Sequence, residues 1–162
     1  MAQFYPTIVA VHMVAGLAFI LLHGVSMVTA FQLRGATDPE RVRRLLTRSQ
    51  MFVGFMYVAL LVLLLAGIAG GFIGAHWGRL WIWASLGILV VVMAVMYSVA
   101  TPYYGELRGA VGLPHQGRPA GGETLAGEAL AARLRSPRPF WLALVGIAGL
   151  GAILVLMFNK PF

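Results

Sequence analysis

The stretch from Pro6 to Leu33, PTIVAVHMVAGLAFILLHGVSMVTAFQL, contains no Asp, Glu, Lys or Arg. An α-helix rises about 1.5 Å per residue, so about 20 apolar residues cross a hydrocarbon core roughly 30 Å thick. An uncharged run of this length has few alternatives to a membrane helix. It does carry His12 and His23. At about 100° per residue their separation comes to roughly three turns, so the two imidazoles share a face, roughly 16 Å apart along the axis. That face reads His12, Ala15, Gly16, Phe19, His23, Ser26, Ala30, small and polar, while the opposite face reads Val11, Val14, Ala18, Leu21, Leu22, Val25, Val28. In a membrane the greasy face meets lipid and the small or polar face meets other helices. Both histidines are therefore expected to point into a helix bundle, and an ionisable residue at membrane depth is a functional-site candidate by default.

Three more apolar runs follow, giving spans at about 6–33, 50–74, 80–101 and 139–158. In the second, Gln50, Gly54, Tyr57, Leu61, Leu64, Gly67, Gly71 and Gly74 form a stripe. Its glycine pairs are of the small-xxx-small kind that lets helix backbones approach. The third opens with Trp81 and Trp83, just after Trp77, and the fourth with Pro139 and Trp141. Such aromatics mark membrane–water interfaces. The fourth also carries Gly146 and Gly149 on its packing side. With 60% apolar and 10% charged residues, the chain departs far from the roughly 25% charge of soluble domains. The expected fold is all-α: one integral membrane domain over residues 1–162, built as a four-transmembrane-helix bundle. The opening MAQFYP shows neither a basic segment nor a small-residue cleavage site, so the first span is expected to be a retained helix, not a signal peptide.

Charge placement orients the bundle. All 12 Lys and Arg residues except Arg79 and Lys160 fall in two loops, 34–49 and 102–138. The positive-inside rule puts these loops in the cytoplasm and both termini outside, in a cell (inner) membrane. The net charge of +7 thus needs no nucleic acid, and anionic lipid headgroups are the expected partners of the arginines. Thr37-Asp38-Pro39-Glu40 supplies an N-cap and a first-turn Pro, starting a helix that carries Arg41, Arg43, Arg44 and Arg48 into the second span. In the longer loop PHQGRPAGG reads as irregular. GETLAGEALAARLRS reads as a short interfacial amphipathic helix with Leu125, Leu130 and Leu134 as its apolar residues.

The chemistry that can be weighed is narrow. There is no Cys, no HExxH, no GxSxG and no phosphate-cradling Gly-rich loop, so nothing marks the chain as an enzyme by itself. The spans hold no carboxylate, which argues against a proton- or cation-coupled transporter. Imidazole in an apolar four-helix interior suits b-type haem, or copper with methionine as a soft partner. The candidate cofactor ligands are His12 and His23 with Met93 and Met96. A metal could also be held by His12, His23 and His76, although His76 could meet His12 only if the connection after the second span dips into the membrane. At the depth of His23 the other spans offer Tyr57, Met56, Met93 and Met96 but no histidine. His115 lies in the cytoplasmic loop and reads as solvated. The plainer alternative is a buried neutral histidine bonded to a carbonyl or a Ser, serving packing alone.

The layout of four spans, the first face VHMVAGLAFILLHG, the Arg-rich first loop and the Trp-flanked third span resemble small bacterial integral membrane proteins related to copper-resistance D. The resemblance implies a four-helix bundle linked to copper handling or haem-mediated redox chemistry, with only His12 and His23 carried over as ligands. Two functions are expected on this footing. One is an accessory subunit or metal/haem-handling protein with a histidine-lined interior. The other is a structural or assembly subunit with no cofactor of its own. Either would work beside other membrane subunits or as a homo-oligomer.

Overall fold

A computed structural model describes residues 2–117, 119–120 and 124–161. Arg118, counted above among the loop arginines, and Gly121, Gly122 and Glu123 of the segments PHQGRPAGG and GETLAGEALAARLRS lie outside the described residues. After a short 3-10 turn at Ala2–Phe4 come α1 (Tyr5–Arg34), α2 (Pro39–Ile73), α3 (Leu80–Ala110), α4 (Gly127–Leu134) and α5 (Arg138–Asn159). The fold is all-α, with no strand among the described residues. Four helical stretches are long and apolar enough to cross a membrane, which makes this a multi-pass membrane protein. The fourth is α5, set off from α4 by the break at residues 135–137.

The local chemistry explains most of the boundaries. Asp38 caps α2, its carboxylate accepting from the Glu40 and Arg41 amides at 3.1 Å each, with Pro39 at the first helical position. The helix then runs unbroken from the arginine segment through the second span. One boundary differs from expectation. The third span was expected to stop at residue 101, yet α3 continues through Pro102 to Ala110. A proline removes one helical N–H and crowds the carbonyl four residues back. Here the loss is local, and the extra turns are held because Tyr103, Leu107 and Ala110 are buried.

The helices pack as two antiparallel pairs. α1 lies along α2, and α3 along α5; α1 touches α5 and α4 at only a few points, as α3 does α4. The buried face of α5, Pro139, Leu142, Ala143, Gly146 and Gly149, follows helical spacing. The expected stripe on α2 does not hold as one face. Gln50, Tyr57 and Leu61 are exposed, and the packed residues are Val42, Leu46, Ser49, Leu60 and Gly71.

The densest core is not at mid-membrane but at the arginine-rich end. There Leu33 and Ala36 meet Val42 and Leu46 of α2, Tyr103, Leu107, Ala110 and Val111 at the end of α3, and Leu130 and Leu134 of α4. This corrects the reading of α4. Its apolar face was expected to lie on the lipid interface; instead Leu130 and Leu134 are fully buried in the protein, with Leu125 packed beside them. The Leu125 amide also donates to Ala110 O at 2.7 Å, which ties the loop down. The other end of the molecule gathers the termini. Tyr5 Oη lies 3.0 Å from His76 Nε2, and Lys160 Nζ sits 6.0 Å from the Trp81 ring centroid.

Candidate functional site

Each histidine is fixed by its helix and by what stands opposite. His12 faces α2, where its Nδ1 donates to Leu63 O at 2.9 Å. That carbonyl already serves the helix by accepting from the Gly67 amide. The ring edge lies over Gly67: a methyl there would stand 3.0 Å from His12 Cε1. His23, half-buried, stacks on Phe19 of its own helix at 6.1 Å and reaches across to α5. A methyl at Gly146 would stand 2.5 Å from His23 Nε2 and 2.8 Å from Met96 Cε. So α1, α3 and α5 bring His23, Met96 and Gly146 to one point.

His76 does not pair with His12. It bonds Tyr5 Oη, packs edge-on to the Tyr5 ring at 6.2 Å, and occupies the space beside Gly74, 2.5 Å from a methyl there. The connection after α2 folds back over the helix end, with the His76 amide donating to Gly71 O at 2.9 Å, rather than dipping toward His12. Met93 is 40% exposed and faces away from the packed interior. His115, expected to be solvated, is instead tucked over Gly105, 3.0 Å from a methyl there, with its Nε2 buried and unbonded.

One pattern unites these sites and was missed in the sequence. All 4 histidines lie against a glycine: His12 on Gly67, His23 on Gly146, His76 on Gly74, His115 on Gly105. At each place the missing Cβ is the room that the imidazole fills. Two further glycines of α2 follow the same rule with other partners, since Gly70 faces Ile8 and Gly71 faces the Trp77 indole, whereas Gly54 faces open space. Their notches are filled by side chains, not by close backbone approach as the glycine spacing had suggested. Only the pairing of helices says which glycine meets which histidine.

Some hydroxyls of the spans are satisfied within their own helix. Thr29 Oγ1 donates to Val25 O at 2.8 Å, and Ser85 Oγ to Trp81 O at 2.8 Å. A bilayer interior demands such internal bonding. The arginines also work inward. Arg34 donates to Ser136 O at 2.9 Å, Arg43 to Val111 O at 2.8 Å, and the buried Arg108 to Pro114 O at 2.7 Å and Leu46 O at 3.4 Å.

The donor set can be tested against haem and copper. No group of three or more His, Asp or Glu stands together among the described residues. His12 and His23 engage different helices, one α2 and the other α5, so they do not converge on one iron. A bis-histidine haem therefore does not fit these residues. His23 and Met96 do meet, an imidazole and a thioether side by side at Gly146. Comparison with family models, curated proteins and solved structures found no match to the chain. What is defined is the class, a multi-pass helical membrane protein with imidazoles set into glycine notches.

Proposed function

We propose that this chain is a non-catalytic accessory or assembly subunit of a larger membrane complex, and that its histidines fasten helices together. The observation that carries the reading is the seating of all 4 imidazoles on glycines, with His12 also spent on a carbonyl of the neighbouring helix. A ligand histidine must turn a free nitrogen toward an open site, whereas the Nε2 edge of His23 abuts Gly146. The assembly role is supported by the outward faces. Val14, Leu17 and Leu21 of α1, Val58 and Leu65 of α2, and Val90 and Val91 of α3 all stand exposed. These are faces for lipid and for the helices of other subunits. In this reading the arginine-rich end lies in the cytoplasm of a cell (inner) membrane and both termini lie outside, as the positive-inside rule directs.

A second reading rests on one observation, the meeting of His23 and Met96 beside Gly146. Imidazole and thioether together are a ligand pair for copper or haem iron. In that reading the chain handles a metal or b-type haem, as the resemblance to copper-resistance D proteins implies.

One experiment separates the two. The full chain is purified gently from its own membrane, absorbance is recorded oxidised and reduced, and metals are measured on the same sample. The first reading predicts an assembly larger than one chain with no Soret band and no stoichiometric copper. A Soret band that sharpens on reduction, or bound copper, lost in His23→Ala but kept in His115→Ala, would replace it with the second.

A further inference from the structure

The arginine-rich end holds a groove of about 370 Å³ whose walls include Tyr103, Glu106, Arg133, Ser136 and Arg138. Glu106 is paired with both arginines, 3.5 Å from Arg133 and 3.3 Å from Arg138. These side chains are 43–59% exposed, so the pairs alone stabilise little. Each guanidinium has five N–H donors, and these contacts use a minority of them. Arg34 reaches the same wall through its bond to Ser136 O.

Tyr103 supplies a second, independent observation. It is 2% exposed, it lines this groove, and its hydroxyl is buried with no hydrogen-bond partner. Buried polar groups are nearly always bonded, so an orphan hydroxyl in a groove wall is one that a bound molecule would satisfy. The first turn of α5 borders the groove through Pro137 and Arg138, but its amides are already spent, Arg138 N on Ser136 Oγ at 3.3 Å and Phe140 N on Pro137 O at 3.0 Å, so the side chains carry the site. Arginines and a hydroxyl call for phosphate. Glu106, set between the arginines, would repel a simple anion and welcome a cation beside it.

We propose that this groove binds a phosphate carrying an ammonium group a few bonds away, the chemistry of a phosphoethanolamine headgroup. The phosphate oxygens accept from Arg133, Arg138 and the Tyr103 hydroxyl, and the ammonium donates to Glu106. Phe140 and Trp141, exposed one turn into α5, mark this level as a membrane–water interface, which makes a lipid the source. The site is independent of what the histidines do.

The test is native mass spectrometry of the full chain in detergent, titrated with phosphatidylethanolamine, phosphatidylglycerol and phosphatidylcholine of identical acyl chains. Phosphatidylethanolamine should be retained about tenfold or more over the other two, the size of one charge-assisted hydrogen bond. Glu106→Gln should abolish its advantage over phosphatidylglycerol. Tyr103→Phe, which removes a hydroxyl the protein does not use, should weaken retention several-fold while leaving the melting temperature of the lipid-free protein unchanged. Equal retention of the three lipids, or unchanged retention in both variants, would overturn the proposal. Displacement of the lipid by millimolar free phosphoethanolamine would overturn the lipid source.

Discussion

At the scale of single residues, the molecule turns on small absences. Gly67 and Gly146 matter for the Cβ they lack, because an imidazole stands where it would be. Gly67→Ala should therefore push the His12 ring off its bond to Leu63 O, at a cost of about 1–3 kcal/mol for overpacking. Unfolding of the detergent-solubilised protein by a graded denaturant checks this, and Gly24→Ala, where nothing lies within 4 Å, is the control expected to change little. Arg108 is a different case. It is buried at 7% exposure and donates to carbonyls of two other segments. Arg108→Met keeps the stem and leaves Pro114 O and Leu46 O without that donor, so it should destabilise by roughly 1–3 kcal/mol. A neutral outcome in the same unfolding assay would show that the guanidinium is dispensable there.

At the scale of elements, the start of α2 was legible in full. Thr37-Asp38-Pro39-Glu40 announced both the cap and the first turn, and Asp38 does hold two amides. Asp38→Ala should cost about 1 kcal/mol, read in the same assay. The end of α3 was not legible. Pro102 is a sound stop signal in isolation, and only the burial of Tyr103 and Leu107 against other helices overrides it. For α4 the apolar residues were legible but not their destination. An amphipathic helix reads alike whether it lies on lipid or on protein, and here Leu130 and Leu134 are fully buried in the core. Leu130→Ala should thus cost about 2–5 kcal/mol, as a core truncation does, and should speed proteolysis of the long loop. A lipid-facing leucine would show neither effect.

At the scale of the whole molecule, two helix pairs are joined loosely along the spans and tightly at the arginine-rich end. Hydropathy and charge made four spans, and the ends of the bundle, readable without coordinates. They could not show that α1 would spend His12 on α2 and His23 on α5, since that depends on which helices neighbour each other and at what register. Likewise Met96 rather than Met93 meets His23: the two stand only about 60° apart around α3 and about a turn apart along it, so helix periodicity alone does not choose between them. The central claim, that the imidazoles are packing pieces set into glycine notches, is tested most directly by a double-mutant cycle on His23 and Gly146. Gly146→Ala alone should destabilise by about 1–3 kcal/mol. In a His23→Ala background the same change should cost less, because only the flexible end of Met96, 2.8 Å away, then has to move, giving a coupling of about 1 kcal/mol or more. Losses that simply add, within about 0.5 kcal/mol, would contradict the account and free His23 for another role.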